Sequence, residues 1–160
     1  MLDPIDVEIV RLLQDNARLP QVEIARTVGL APSAVLERLR KLEAKGVIVG
    51  YVAQIDPRAL DQRLLAFIAV RTTDRPGEVR VANELAAIPE VLEVHHVAGD
   101  DCVMLKVRAR DPQHLAQILR DRLGAIVGVQ HTRTTIVLET IKESIRLSIP
   151  AAVESEEVAS

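Results

Sequence analysis

Along the first fifty positions, apolar residues recur at helical spacing. Leu2, Ile5, Ile9, Leu12 and Leu13 trace one stripe, with Asp3 as N-cap ahead of Pro4, which predicts a helix ending near Asn16. Val22, Ile24, Ala25 and Val28 form a shorter second stripe that stops at Gly29. A third helix opens at Pro32, sets Val35, Leu39 and Leu42 on one face and closes at Gly46. The run Val47 to Ile55 is rich in β-formers with Gly50 midway, which predicts two short strands of a wing. Asp56-Pro57 breaks this pattern, and the polar stretch up to Arg63 reads as a linker.

Beyond the linker the period alternates between two and 3.6. Leu64 to Thr73 predicts a strand, Glu78 to Ile88 a helix with Val81, Leu85 and Ile88 inward, and Val91 to Val97 a second strand. Ala98-Gly99-Asp100-Asp101 is a turn into a strand from Cys102 to Ala109, in which Val103, Leu105, Val107 and Ala109 alternate with Met104, Lys106 and Arg108. Asp111 caps a helix carrying Leu115, Ile118, Leu119 and Leu123, and His131 to Thr140 predicts a fourth strand. The order βαββαβ is that of a ferredoxin-like, four-stranded antiparallel sheet with both helices on one face. The fold class is therefore α+β. Residues 1–56 form a winged helix-turn-helix, 57–63 a linker, 64–149 the ferredoxin-like domain and 150–160 a disordered acidic tail. On the sheet's second face, Leu65, Phe67, Ala69, Val91, Val97 and Met104 are too apolar for a monomer's surface, which predicts a homodimer.

Composition narrows the function. With Tyr51 and Phe67 as the only aromatics, the chain lacks stacking platforms for single-stranded nucleic acid, so a nucleic-acid partner would be duplex. The net charge of -3 disfavours indiscriminate polyanion binding, yet Arg18 to Lys45 holds six Lys/Arg against three acids. One cysteine, Cys102, excludes a disulfide framework and a cysteine-rich zinc site. An acidic N-terminus and short, charge-broken apolar runs give no signal peptide or membrane span, which reads as a cytoplasmic chain.

A short helix, a glycine turn and a basic third helix make the helix-turn-helix pattern, whose third helix enters the DNA major groove. With Val35, Leu39 and Leu42 inward, Ser33, Ala34, Glu37 and Arg38 near the helix start are the expected base readers. Arg40, Lys41 and Lys45 are the expected phosphate contacts. An ordinary amphipathic helix with solvating pairs such as Glu37 with Lys41 gives the same local pattern. The preceding helix, the Gly29 turn and the following wing favour DNA binding.

These residues resemble the N-terminal domain of the Lrp/AsnC family of transcription regulators. The correspondence runs through Leu2-Asp3 with Asp6, through Val28-Gly29-Leu30 with Val35, Arg38, Leu42 and Glu43, and through Gly46, Ile48, Gly50 and Tyr51, and extends to about Ile149. One departure is Ala31, where the family usually has a serine able to cap the recognition helix. The resemblance makes the C-terminal half the family's RAM domain, with the effector hairpin at Val97, Gly99, Asp100, Asp101 and Cys102 and a second border at Thr132, Thr134 and Thr135. Cys102 stands where many relatives carry aspartate, with Asp100 and Asp101 able to supply the charge. Gly99 by itself requires no more than a hairpin turn, and threonines are common in any strand.

The resemblance implies no cofactor, an amino acid as effector, double-stranded DNA as partner, and tetramers or octamers built from dimers. Because the hairpin and the fourth strand are expected at opposite sheet edges, a shared pocket is expected to be built more easily by apposed subunits than within one. His95 and His96, adjacent on a strand, point to opposite faces and cannot share one ion, and no nucleophile and base pair is specified, so no metal site or enzyme is read here. His114 and His131 read as isolated surface residues. The alternative function is an amino-acid-binding sensor or enzyme-regulatory module without its own operator; such a module has no use for a basic groove-reading helix.

Overall fold

Residues 2–75, 77–99 and 101–149 are described in the computed structural model. They divide into two units, one comprising residues up to Gln54 together with those from Glu143 onward, the other Ile55–Lys142. In the first, α1 (Pro4–Asp15), α2 (Gln21–Val28) and α3 (Pro32–Ala44) enclose Ile9, Ile24, Ala25, Val35, Leu39 and Leu42. Asp3 caps α1, its Oδ1 accepting from the Asp6 N–H at 2.8 Å. Gly29 ends α2 at φ 70°, a conformation that costs a Cβ-bearing residue, and so allows the tight turn into α3.

The wing strands expected over Val47 to Ile55 are not formed. The N–H groups of Val47 and Ile48 both donate to the Leu42 carbonyl, closing α3 instead of entering a ladder. What remains on either side of Gly50 is too short to sustain a hairpin, and Val49 and Val52 are 95% and 72% exposed.

The segment from Glu143, which the pattern assigned to the second domain, groups with the helices. The Leu147 N–H donates to Gln14 Oε1 at 2.9 Å, the Gln14 amide returns a bond to the Leu147 carbonyl at 2.7 Å, and Arg146 pairs with Asp15 at 3.1 Å. The expected linker begins as a 3-10 turn, Pro57–Leu60, capped by Asp56 and grouped with the second unit. Residues 150–160, read as a disordered tail, lie outside the described residues.

The second unit is the expected split βαβ sheet. Strands β1 (Leu64–Thr72), β2 (Val91–His96), β3 (Val103–Ala109) and β4 (Val129–Ile136) lie in the order β2-β3-β1-β4, every neighbouring pair antiparallel. Helices α4 (Arg80–Ala86) and α5 (Pro112–Gln117, continued by a wider turn over Ile118–Leu123) cover one face. There Ala66, Ile68 and Val70 of β1 meet Val103, Leu105 and Val107 of β3 and Val81, Leu85, Leu115 and Leu123 of the helical layer. The β4 strand starts two residues earlier than expected and ends at Ile136, leaving Leu138 98% exposed.

The second face differs from expectation in one strand. Val91 belongs to the helix side, where it pairs with Val107 and packs on the core, because a register irregularity between Val91 and Glu93 shifts the alternation. Leu65 and Ala69 are already buried within the single chain, while Phe67 and Val97 stay partly exposed. Lys106, Arg108, Glu93 and Arg133 share this face by register, so it is mixed in character and not an apolar plate.

Ala31 occupies the N-cap of α3 with extended backbone and no side-chain bond to the helix. Ala31→Ser is therefore expected to stabilise the helical unit by about 1 kcal/mol, by giving the first turn an acceptor. Urea unfolding checks this; an unchanged midpoint would mean that the first-turn N–H groups are already satisfied.

Candidate functional site

The exposed surface of α3 follows from the inward set Val35, Leu39 and Leu42. At 100° per residue, Ser33, Glu37, Arg40 and Lys41 fall on the side opposite them and are exposed, and Ala34 is half-buried on the flank. Lys45 follows the last turn and is exposed. Lys41 and Glu37 form an i,i+4 pair at 2.7 Å, which holds the Glu37 carboxyl below its usual pKa.

Arg38 shares a groove with Ala34, Glu37, Lys41 and Lys45, and two acids of the first helix engage it there. Its Nη1 donates to Asp3 Oδ2 at 2.5 Å and to Asp6 Oδ1 at 2.7 Å, so its guanidinium braces α3 against the start of α1. The Asp3 carboxylate thus serves twice, capping α1 and accepting from Arg38. Those bonds, the Arg38 bond first, hold its pKa below the ordinary aspartate value, and the same pairing raises that of Arg38. At the C-terminal end of α3 the Tyr51 hydroxyl donates to Glu43 Oε1 at 3.0 Å. Burial, helped by the Glu43 charge, raises the Tyr51 pKa, so the phenol stays protonated and able to donate.

On the second unit, a cleft of about 530 Å³ opens on the far face of the sheet, lined by Arg71, Val97, Ala98, Gly99, Asp101, Met104, His131 and Arg133. Asp101 is its electrostatic centre. Its side chain is only 15% exposed, Arg133 Nη2 of β4 lies 2.8 Å from Oδ2, and Arg71 Nη2 of β1 lies 4.0 Å from Oδ1. Gly99, at φ 137°, makes the turn that brings Asp101 under these side chains. Farther along the face, Lys106 donates to Glu93 at 3.0 Å and His95 lies 3.2 Å from the same carboxylate; both lower the Glu93 pKa, Lys106 the more strongly.

The expected effector residues divide. Val97, Gly99 and Asp101 line the cleft, and Asp100 lies outside the described residues. Cys102 turns the other way, its Sγ 3.4 Å from Thr72 Oγ1 and packed against the core, so it does not face the cleft. Thr132 and Thr134 stand opposite Val70 and Ile68 and therefore share the helix-side face; Thr135, opposite Phe67, is on the far face but away from the lining. Arg71, Ala98, Met104, His131 and Arg133 were missed. Parity could have found Arg71, which follows Leu65, Phe67 and Ala69 in steps of two, and Arg133, which alternates with the two threonines. His131, read as isolated, is part of the lining.

Nor do the two segments require a second subunit to meet. β3 is an interior strand, and β1 alone separates it from β4, a gap that the Arg133 side chain spans. Among the described residues, no group of three or more His, Cys, Asp or Glu could hold a metal ion, and no helix is long and apolar enough to cross a membrane. His114, also read as isolated, accepts from the Arg110 N–H at 3.2 Å and lies 3.8 Å from Glu90.

Comparison with known proteins assigns both units. Residues 2–49 match the family described as winged helix-turn-helix DNA-binding, and residues 65–147 match the Lrp/AsnC ligand binding domain. An HTH-type transcriptional regulator of Pyrococcus horikoshii is 42% identical over 149 residues, covering 92% of this chain and 97% of its own. The leucine-responsive regulatory protein of Escherichia coli is 37% identical, with 92% of each chain covered. Among solved structures, the feast or famine regulatory protein of M. tuberculosis complexed with L-methionine superposes with a TM-score of 0.85 at 37% identity, covering 94% of this chain and 100% of that one.

Because the Asp3 carboxyl titrates below its unfolded value, its contribution to stability is fully present above the ordinary aspartate pKa and is lost as pH falls through the lowered folded value. Arg38→Ala is expected to cost about 1 kcal/mol at neutral pH, within the range for exposed pairs and caps. It should also flatten the acid limb of the stability curve below about pH 4. Thermal unfolding across pH 2.5 to 7 tests this. An acid limb identical in wild type and variant would remove the brace from the account.

Proposed function

Since this chain belongs to the Lrp/AsnC family of DNA-binding transcriptional regulators, we propose that an amino acid bound in the Asp101 cleft sets its affinity for duplex DNA or its assembly state. The observation that carries this reading is the convergence of Arg133 and Arg71 on the shielded Asp101 carboxylate, a preorganised set of charges that an ammonium and a carboxylate can both use. The leucine-responsive and L-methionine-complexed relatives support an amino acid as the effector class; no further cofactor enters this reading.

On the DNA side, Ser33, Ala34 and Glu37 read base edges, while Arg40, Lys41 and Lys45 neutralise phosphates. Arg38 acts behind the interface, by fixing the angle at which α3 meets α1. The minimal unit is a homodimer, which larger assemblies repeat, with two recognition helices addressing half-sites about one helical turn or a multiple apart in the cytoplasm. The exposed run containing Val49, Val52 and Ile55 supports association, since its apolar side chains have no cover in the single chain.

Binding of the protein to a duplex from upstream of its own coding sequence, titrated with each of the twenty amino acids, tests the reading. Specific binding altered by at least one of them is expected; specific binding altered by none would leave a DNA-binding protein without this effector class. Lys41→Ala should weaken all duplexes alike and lower the slope of log affinity against log salt by about one unit. Arg38→Ala should leave that slope unchanged. A drop in slope for Arg38→Ala, with none for Lys41→Ala, would exchange the roles assigned to them. Sedimentation is expected to give dimers or larger species at micromolar concentration, and a stable monomer would contradict the assembly reading.

A further inference from the structure

We infer that residues 143–147 form a strap through which the state of the cleft is relayed to the DNA-binding helices. It rests on the reading of the cleft as the effector site, and names the element that joins that site to α3. The chain crosses between the two units twice, after Gln54 and again after Lys142. The second crossing continues from β4, the strand that brings His131 and Arg133 to the cleft lining.

What the strap grips is the C-terminal end of α1. The Gln14 side-chain amide donates to the Leu147 carbonyl at 2.7 Å and accepts from the Leu147 N–H at 2.9 Å, the paired exchange that a neighbouring strand would make. Arg146 Nη1 lies 3.1 Å from Asp15 Oδ1, and its Nη2 donates to the Asp15 carbonyl at 3.2 Å. A helix C-terminus leaves carbonyls without partners and favours cations, yet the last turn of α1 contains no basic residue and ends on an acid. Arg146 supplies, from 131 positions away, the charge that this turn does not carry itself. At the opposite end of the same helix Asp3 and Asp6 engage Arg38 of α3. Thus α1 joins the strap to the recognition helix as a rigid rod.

The grip is polar and open to solvent. Ile145 and Leu147 remain 77% and 76% exposed, so no apolar burial locks the strap in place. Exposed hydrogen bonds and ion pairs contribute little each, and docked and released forms therefore lie close in free energy. A ligand that favours one arrangement of β4 can shift the balance between them.

Duplex affinity of the full-length protein, measured with and without each of the twenty amino acids, identifies the one with the largest effect and tests the relay with it. The double variant Gln14→Ala, Arg146→Ala should still bind duplex and that amino acid, while the factor by which one changes the affinity of the other falls towards one. Arg146→Asp alone should lower the same factor, and Asp15→Arg combined with Arg146→Asp should restore it, which general destabilisation would not do. The charge exchange decides the matter even if the alanine variant folds poorly. A factor unchanged from wild type in the alanine variant would overturn the relay and leave the effector reading standing. An alanine variant that folds but no longer binds the amino acid would also overturn it, because a strap acts on coupling alone. So would a charge exchange that recovers nothing of what Arg146→Asp loses. Were no amino acid to alter duplex affinity in the wild type, the effector reading itself would fall, and the relay with it.

Discussion

Strict alternation along β1 is the constraint on which the second unit depends. Ala66, Ile68 and Val70 commit one face to the helices and to Leu105 and Val107 of β3, and they are completely buried. Once that is fixed, Leu65, Phe67, Ala69 and Arg71 are delivered to the other face. Because β1 lies between β3 and β4, whatever those strands carry opposite its far-side residues converges there as well: Met104 across from Ala69 on one side, Arg133 and His131 across from Ala69 and Arg71 on the other. A slip of one residue in β1 would bury Arg71 and expose Ile68. The hydrophobic core therefore sets the register that assembles the charged cleft, and the two cannot be altered independently.

The helical unit solves a comparable problem with fewer residues. Six buried side chains are a small core for three helices, and each connection takes on more than one task. Asp3 caps α1 while its carboxylate accepts from Arg38; the Leu42 carbonyl accepts from both Val47 and Ile48; Tyr51 reaches back to Glu43. The outcome is a third helix held at its middle by Arg38 and at its C-terminal end by Tyr51 and the closing turn. Its opposite side carries Ser33, Glu37, Arg40 and Lys41, and groove reading needs such a surface on a rigid support.

Much of this was legible in the pattern of apolar residues, because periods of 3.6 and 2 are imposed by burial, and burial is what the sequence encodes most redundantly. All three N-terminal helices, the strand order and the placement of Val103, Leu105, Val107 and Ala109 follow from it. The wing did not: Val47 and Ile48 have the composition of a strand, but the nearby Leu42 carbonyl captures their N–H groups, a choice that propensity does not register. Val91 was put on the wrong face because a single irregularity before Glu93 reverses parity downstream of it. In the cleft, likeness to a motif drew attention to the threonines and Cys102, whereas charge and parity point to Arg71 and Arg133. Arg38 illustrates a further limit, since its partners are more than thirty residues away and an exposed arginine on a basic helix looks the same whether it meets phosphate or aspartate.

The account joins two chemistries in one chain, a rigid basic helix for DNA and a cleft poised between a carboxylate and two guanidiniums for a small zwitterion. A regulator of this kind is defined by coupling, and coupling is reciprocal: a ligand that changes duplex affinity by some factor must itself be bound more or less tightly by that factor when duplex is present. The decisive measurement is thus a closed thermodynamic cycle, in which duplex affinity is determined with and without a saturating amino acid chosen as the strongest thermal stabiliser, and amino-acid affinity with and without saturating duplex. The account predicts equal factors along both routes, about fivefold or more, that shrink towards one in Arg133→Gln. A factor of one in the wild type, with the amino acid demonstrably bound in the cleft, would contradict it.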